Sequence, residues 1–166
     1  MTTNVYRVWI KSTAQKVWDA IVDPAQNGAY GYGSPATIDL RAGGAYEVKN
    51  PEEMVAQGFP AQMITGEVLE VDAPKKLVQT WAPNFGPETV AEGPRTITYV
   101  ITEEPGDVIL VTVSIDVTDA PLVGAITSGE EVHAGGGFPM LLSDLKSYLE
   151  TGTSWGPGHM AAAMGG

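Results

Sequence analysis

Residues 108–117 read Val-Ile-Leu-Val-Thr-Val-Ser-Ile-Asp-Val, and no other segment narrows the fold so far. Ile109, Val111, Val113, Ile115 and Val117 share one parity, while Leu110, Thr112, Ser114 and Asp116 share the other. Side chains alternate faces along a strand, so this segment buries one face and leaves the other largely wet. Arg95–Thr102 supplies a partner strand, with Ile97, Tyr99 and Ile101 in matching parity. Glu104-Pro105-Gly106-Asp107 forms the turn of the hairpin between them.

Five more strands are predicted upstream. Val5–Lys11 alternates and is rich in β-branched and aromatic residues. Thr37–Leu40 and Ala45–Lys49 flank Arg41-Ala42-Gly43-Gly44, where paired glycines admit positive φ in a tight turn. Met63–Val71 and Lys76–Trp81 flank the turn Asp72–Lys75. Asn50–Pro60 and the proline-rich Ala82–Pro94 read as loops.

Two segments carry a helical period instead. In Ala14–Val22, Val17, Trp18, Ile21 and Val22 recur at helical spacing; Ser12 or Thr13 offers a capping hydroxyl and Asp23-Pro24 a stop. Ala25–Ser34, rich in glycine and tyrosine, reads as one short helix and then a loop. Phe138, Leu141, Leu142, Leu145, Tyr148 and Leu149 form an i, i+3, i+4, i+7 stripe, with Pro139 near its start and Gly152 at its end. The Gly135-Gly136-Gly137 run weakens any extension of this helix upstream. Thr153–Gly166 shows little pattern and reads as a flexible tail, which leaves a single domain over residues 1–152. Antiparallel strands with helices at both ends make an α+β layout, helices packed on one face of a curved sheet.

Composition excludes several chemistries. A net charge of −11 argues against nucleic acid and against an anionic membrane surface. With no cysteine and only His133 and His159 as imidazoles, disulfides, thiolate catalysis and a three-His metal site are ruled out, and no metal or other cofactor is expected. Serine hydrolase and dinucleotide-binding signatures are both missing. No apolar run suits a signal peptide or a membrane span, so the expectation is a cytoplasmic protein, monomer or homodimer.

Five phrases in order carry a family resemblance. They are Val8–Ile21; Asp23-Pro24; Asp39-Leu40-Arg41-Ala42-Gly43-Gly44; Gly66–Val71 with Pro74, Leu77 and Thr80-Trp81; and Leu142–Gly152. Spread across residues 5–152, they make the chain resemble the START-like, or SRPBCC (Bet v 1-like helix-grip), superfamily. Within it, the branch of the activator of heat shock protein 90 ATPase homologues is the most similar. The resemblance implies a curved antiparallel sheet of six to seven strands wrapped around a long C-terminal helix. One or two short helices would follow strand 1, and a ligand cavity would lie between sheet and helix. Two positions depart from the family: Tyr30 and Tyr32 stand where it often has tryptophan, and Gly137-Phe138 where it often has Gly-Trp.

A cavity of this kind takes a hydrophobic or amphipathic ligand such as a lipid, polyketide or aromatic metabolite, held by apolar burial. Candidate wall residues are Tyr30, Tyr32, Met63, Trp81, Tyr99, Phe138, Met140 and Leu141, each of which plain core packing would also explain. Arg41, Glu47, Glu67 and His133 are candidate polar groups, against a bland reading as solvated surface. Were a glutamate to face the cavity, burial would raise its pKa and make it a general acid or base. The resemblance thus leaves two further expectations open, a cyclase-, aromatase- or lyase-like enzyme and a chaperone-ATPase-stimulating interaction protein.

Overall fold

A computed structural model describes residues 1–165. Strand β1 (Thr3–Lys11) leads into α1 (Ala14–Val22), whose first turn is capped by Thr13, its Oγ1 accepting the Lys16 N–H at 3.2 Å. Asp23 closes α1 through its backbone N–H and opens α2 (Pro24–Asn27) by accepting the Ala25 N–H at 2.9 Å. Strands β2 (Ala36–Ile38) and β3 (Ala45–Lys49) follow, with α3 (Glu52–Ala56) lying in the segment expected to be a loop. Next come β4 (Gln62–Asp72), β5 (Lys76–Pro83), α4 (Pro87–Glu92), β6 (Arg95–Glu104) and β7 (Val108–Asp116). The chain ends with α5 (Pro121–Ser128), α6 (Gly137–Thr151) and α7 (Gly156–Gly165).

The seven strands form one antiparallel sheet in the order β1-β7-β6-β5-β4-β3-β2. Each β7 residue of the predicted inward parity is buried, and Ile97, Ile101 and Leu77 continue that layer across the sheet. The core joins these to Val17 and Trp18 of α1 and to Phe138, Leu142 and Leu145 of α6. This is the α+β, helix-grip arrangement, with the long helix held in the concave face of the sheet.

Helix α6 also reaches the rim of the sheet. Lys146 Nζ donates to the Trp9 carbonyl of edge strand β1 at 2.6 Å and to Glu150 at 2.7 Å. Its start is fixed by glycine: Gly135, Gly136 and Gly137 take φ of 80°, 103° and 64°. A Cβ on Gly137 would lie 2.3 Å from the Thr127 carbonyl oxygen, so the run both stops the helix and lets it dock against α5.

Four helices escape the sequence reading. α3 and α4 lie in segments read as loops, α5 was not anticipated, and α7 occupies the expected tail, of which Gly166 lies outside the described residues. α7 is docked on the body: Met160 is buried, Ser154 Oγ donates to the Ala29 carbonyl at 2.6 Å, and Pro157 packs against Gly33. Among the described residues, no helix is long and apolar enough to cross a membrane.

Candidate functional site

The concave face of the sheet, α6 and the loop after α2 enclose a cavity of about 100 Å³. Its floor comes from the sheet: Ile38 of β2, Tyr46 of β3, Gln79 of β5, Tyr99 of β6 and Val111 of β7. Strand parity puts them there. Tyr46 pairs with Ile38 and Tyr99 with Val113, while Gln79 shares its face with fully buried Leu77. Leu141, Leu142 and Leu145 of α6 form the roof, and Ile21, Asn27, Tyr30 and Ser34 close the side.

The polar walls are mostly uncharged phenols and amides. Tyr30 is buried, donates to the Ala20 carbonyl at 2.9 Å and stacks on Tyr148 with centroids 5.5 Å apart. Burial pushes the pKa values of Tyr30 and Tyr99 well above the usual phenol value. Burial pushes Tyr46 up to about 12, although the Trp81 indole beside it pulls the other way. All three therefore stay neutral hydroxyls at ordinary pH. Asn27 is spent on structure, its amide bridging the Ile21 and Ala36 carbonyls and accepting the Ala36 N–H.

Three of the eight expected wall residues, Tyr30, Tyr99 and Leu141, line this cavity. The other five lie elsewhere. Tyr32 is a clasp, its hydroxyl donating to the Ala134 carbonyl at 2.7 Å and accepting the Gly137 N–H at 2.8 Å. Its pKa is raised by burial, with the Gly137 N–H opposing. Phe138 is core, stacked on Tyr6 at 5.5 Å. Met63 and Trp81 pack beside Ala36, Val48 and Ile64 in a second apolar cluster, and Trp81 meets Phe85 edge-on at 6.1 Å. Met140 is half-buried against Gly136.

None of the four candidate polar groups reaches the cavity. Arg41 pairs with Asp39 at 2.7 Å in solvent. Glu47 points away from the cavity, as the opposite parity of Tyr46 and Val48 requires, and meets Gln62 and Lys49. Glu67 is exposed, and so is His133, whose N–H turns back to Glu131 at 3.2 Å.

Two residues missed in the sequence matter most. Gln79 is 1% exposed, a carboxamide set between Leu77 and Trp81 on the inward parity of β5. Asp144 is fully buried on the apolar stripe of α6, three residues after Leu141 and one before Leu145. Its two oxygens accept the N–H groups of Gly31, Trp155 and Gly156, each at 2.8 Å. A polar residue in register with an apolar stripe was the available signal for both. Among the described residues, no group of three or more potential ligand side chains could hold a metal ion.

Solved structures of similar shape are numerous and share little sequence. CalU16 from Micromonospora echinospora is 17% identical with a TM-score of 0.65, the match covering 97% of this chain and 84% of that one. PFC0360w, an HSP90 activator from Plasmodium falciparum, is 15% identical with a TM-score of 0.63, covering 90% and 96%. DynU16, from the dynemicin biosynthetic locus, is 17% identical with a TM-score of 0.64, covering 92% of this chain and 48% of that one. Among curated proteins, none matches in sequence. At such identities these likenesses bear on the fold alone. The model of one family, the Activator of Hsp90 ATPase homolog 1-like proteins, matches residues 11–150. With that match covering most of its length, the chain belongs to the Activator of Hsp90 ATPase homolog 1-like family, in the SRPBCC superfamily.

Proposed function

We propose that this protein binds a hydrophobic or amphipathic small molecule in the cavity between the sheet and α6. The observation that carries the reading is the partly open space itself, walled by leucines and tyrosines at the centre of the fold. Binding is favoured over chemistry because the lining holds no carboxylate, imidazole or ammonium group among the described residues. Proton transfer would fall to phenols whose ionisation burial opposes. At about 100 Å³ the cavity is smaller than the ~150 Å³ engineered site that takes benzene. A ligand of ring size therefore has to shift part of the wall, and the wall with no regular structure, Gly28–Pro35, moves only against the Gly31 N–H bond to Asp144.

Native mass spectrometry of the protein purified from its own cells, followed by extraction, tests this directly. A bound organic species released on denaturation is the expected result. An empty protein that also gives no thermal shift with a lipid and aromatic library overturns the reading.

A second reading, stimulation of a chaperone ATPase, has the family membership and the Plasmodium activator of like fold behind it. An unchanged ATPase rate of the matching chaperone across a titration would remove it.

A further inference from the structure

Resting on the cavity reading above, we infer that the ligand is neutral and presents an oxygen acceptor, a ketone or similar carbonyl on a ring-sized group, to Tyr46, Tyr99 and Gln79. Few of the hydrogen-bonding groups that face the cavity are free to meet a ligand. Tyr30 has spent its proton on the Ala20 carbonyl, and every bond of the Asn27 amide goes to backbone. Three groups are left over. The Tyr46 hydroxyl accepts from the Trp81 indole, but neither its proton nor that of Tyr99 is donated to a protein group among the described residues. Gln79 reaches only the carbonyl of its neighbour Thr80, at a long 3.5 Å, and its carboxamide oxygen accepts nothing there.

Buried polar groups are ordinarily paired, and leaving one unpaired costs free energy. A purely apolar ligand would cover these groups and return no hydrogen bond to the two phenol protons or to the Gln79 carboxamide. A charged ligand fares no better: no opposite charge lines the cavity, and burying an uncompensated ion is costlier still. An anion would also be repelled at a distance by the Asp144 carboxylate, which lies outside the lining but acts electrostatically on Tyr30. What remains is a neutral acceptor. Two phenol protons can converge on a carbonyl oxygen, and the Gln79 amide can serve it or a neighbouring hydroxyl. The aromatic faces of the tyrosines and the leucines of α6 would enclose the apolar ring that carries it.

Isosteric probe pairs test the assignment: cyclohexanone against methylenecyclohexane, and acetophenone against α-methylstyrene, with benzoate as the charged comparison. Affinities are measured by titration calorimetry and ligand-observed NMR on the full chain. We expect each ketone to bind at least about tenfold more tightly than its hydrocarbon partner, and benzoate to be rejected. Tyr99→Phe and Tyr46→Phe keep the ring volume and should each reduce that ratio several-fold; Gln79→Leu should do the same. Circular dichroism identifies any variant that has lost its fold, and the two phenylalanine variants suffice if Gln79→Leu does. Equal affinity for ketone and hydrocarbon, or a ratio unchanged in the folded variants, overturns the assignment and leaves the cavity reading standing. Rejection of every probe, hydrocarbons included, overturns the cavity reading and this inference with it.

Discussion

The carboxylate of Asp144 accepts the backbone N–H of Gly31 at 2.8 Å, tying the middle of α6 to a loop 113 residues earlier in the chain. The same side chain takes the N–H groups of Trp155 and Gly156, so one residue fixes the cavity's side wall and the start of the docked C-terminal helix together. Glycine is required at 156, where a Cβ would stand 2.4 Å from the carboxylate.

Asp144→Ala should therefore be among the most damaging single changes in α6. It orphans three backbone donors, and a buried unpaired group costs about 1–3 kcal/mol. Asp144→Asn, which keeps one acceptor oxygen, should cost less. Denaturant unfolding measures the order of the two, and hydrogen exchange should show lost protection at Gly31, Trp155 and Gly156. Equal stability of Asp144→Ala and the native chain would mean that these bonds hold nothing in place.

Tyr6 presents the opposite case, a buried hydroxyl with no partner among the described residues. Tyr6→Phe keeps the stack on Phe138 and removes the unpaired group. The variant should be as stable as the native chain or more so, by on the order of 1 kcal/mol. A clear loss of melting temperature would show that the hydroxyl is partnered in solution.

Alkaline pH should unfold the protein through its buried phenols. Each of Tyr30, Tyr46 and Tyr99 has a folded pKa above its unfolded value near 10, Tyr46 at about 12. Raised values favour the protonated native state, so their contribution is whole below pH 10 and is lost as pH climbs toward and past 12. Stability measured against pH should fall across that window, and Tyr46→Phe should flatten the slope. Ultraviolet titration showing all six tyrosines ionising near pH 10 in the folded protein would contradict it.

The glycine run offers a matched comparison. Gly137→Ala meets both a left-handed backbone and the Thr127 carbonyl, whereas Gly152→Ala meets the backbone cost alone in open space. Gly152→Ala should cost about 1 kcal/mol, and Gly137→Ala distinctly more. Calorimetric melting of the two variants gives the difference. Similar costs would show that α5 yields freely to α6.

Much of this fold is written in local pattern, and the site is not. The inward parity of β7 matches the buried layer residue by residue, that of β6 does so at Ile97 and Ile101 with Tyr99 partly buried, and α1 spans Ala14–Val22 as its spacing predicts. Those signals survive because each element buries one regular face. α7 carries no such face: its Gly-Pro-Gly-His-Met-Ala-Ala-Ala sequence has no apolar stripe, and what anchors its start is Asp144 on another helix. The cavity was misjudged for a related reason. Glu47 looked chemical because it is charged, yet Tyr46 and Val48 already claim the inward parity. Gln79 looked ordinary because it is neutral, although its parity places it inside. Which strand face is concave depends on the whole sheet, and no single segment records it.

The bond from Lys146 to the Trp9 carbonyl bears on how this sheet meets other molecules. A flat strand with open backbone groups is a template for fibre growth. Here one terminal strand, β1, has α6 laid along it, with that ammonium group seated on its carbonyl. The other, β2, is three residues long and offers an incoming strand little to extend. The sheet is thereby left with neither rim ready to seed a fibril.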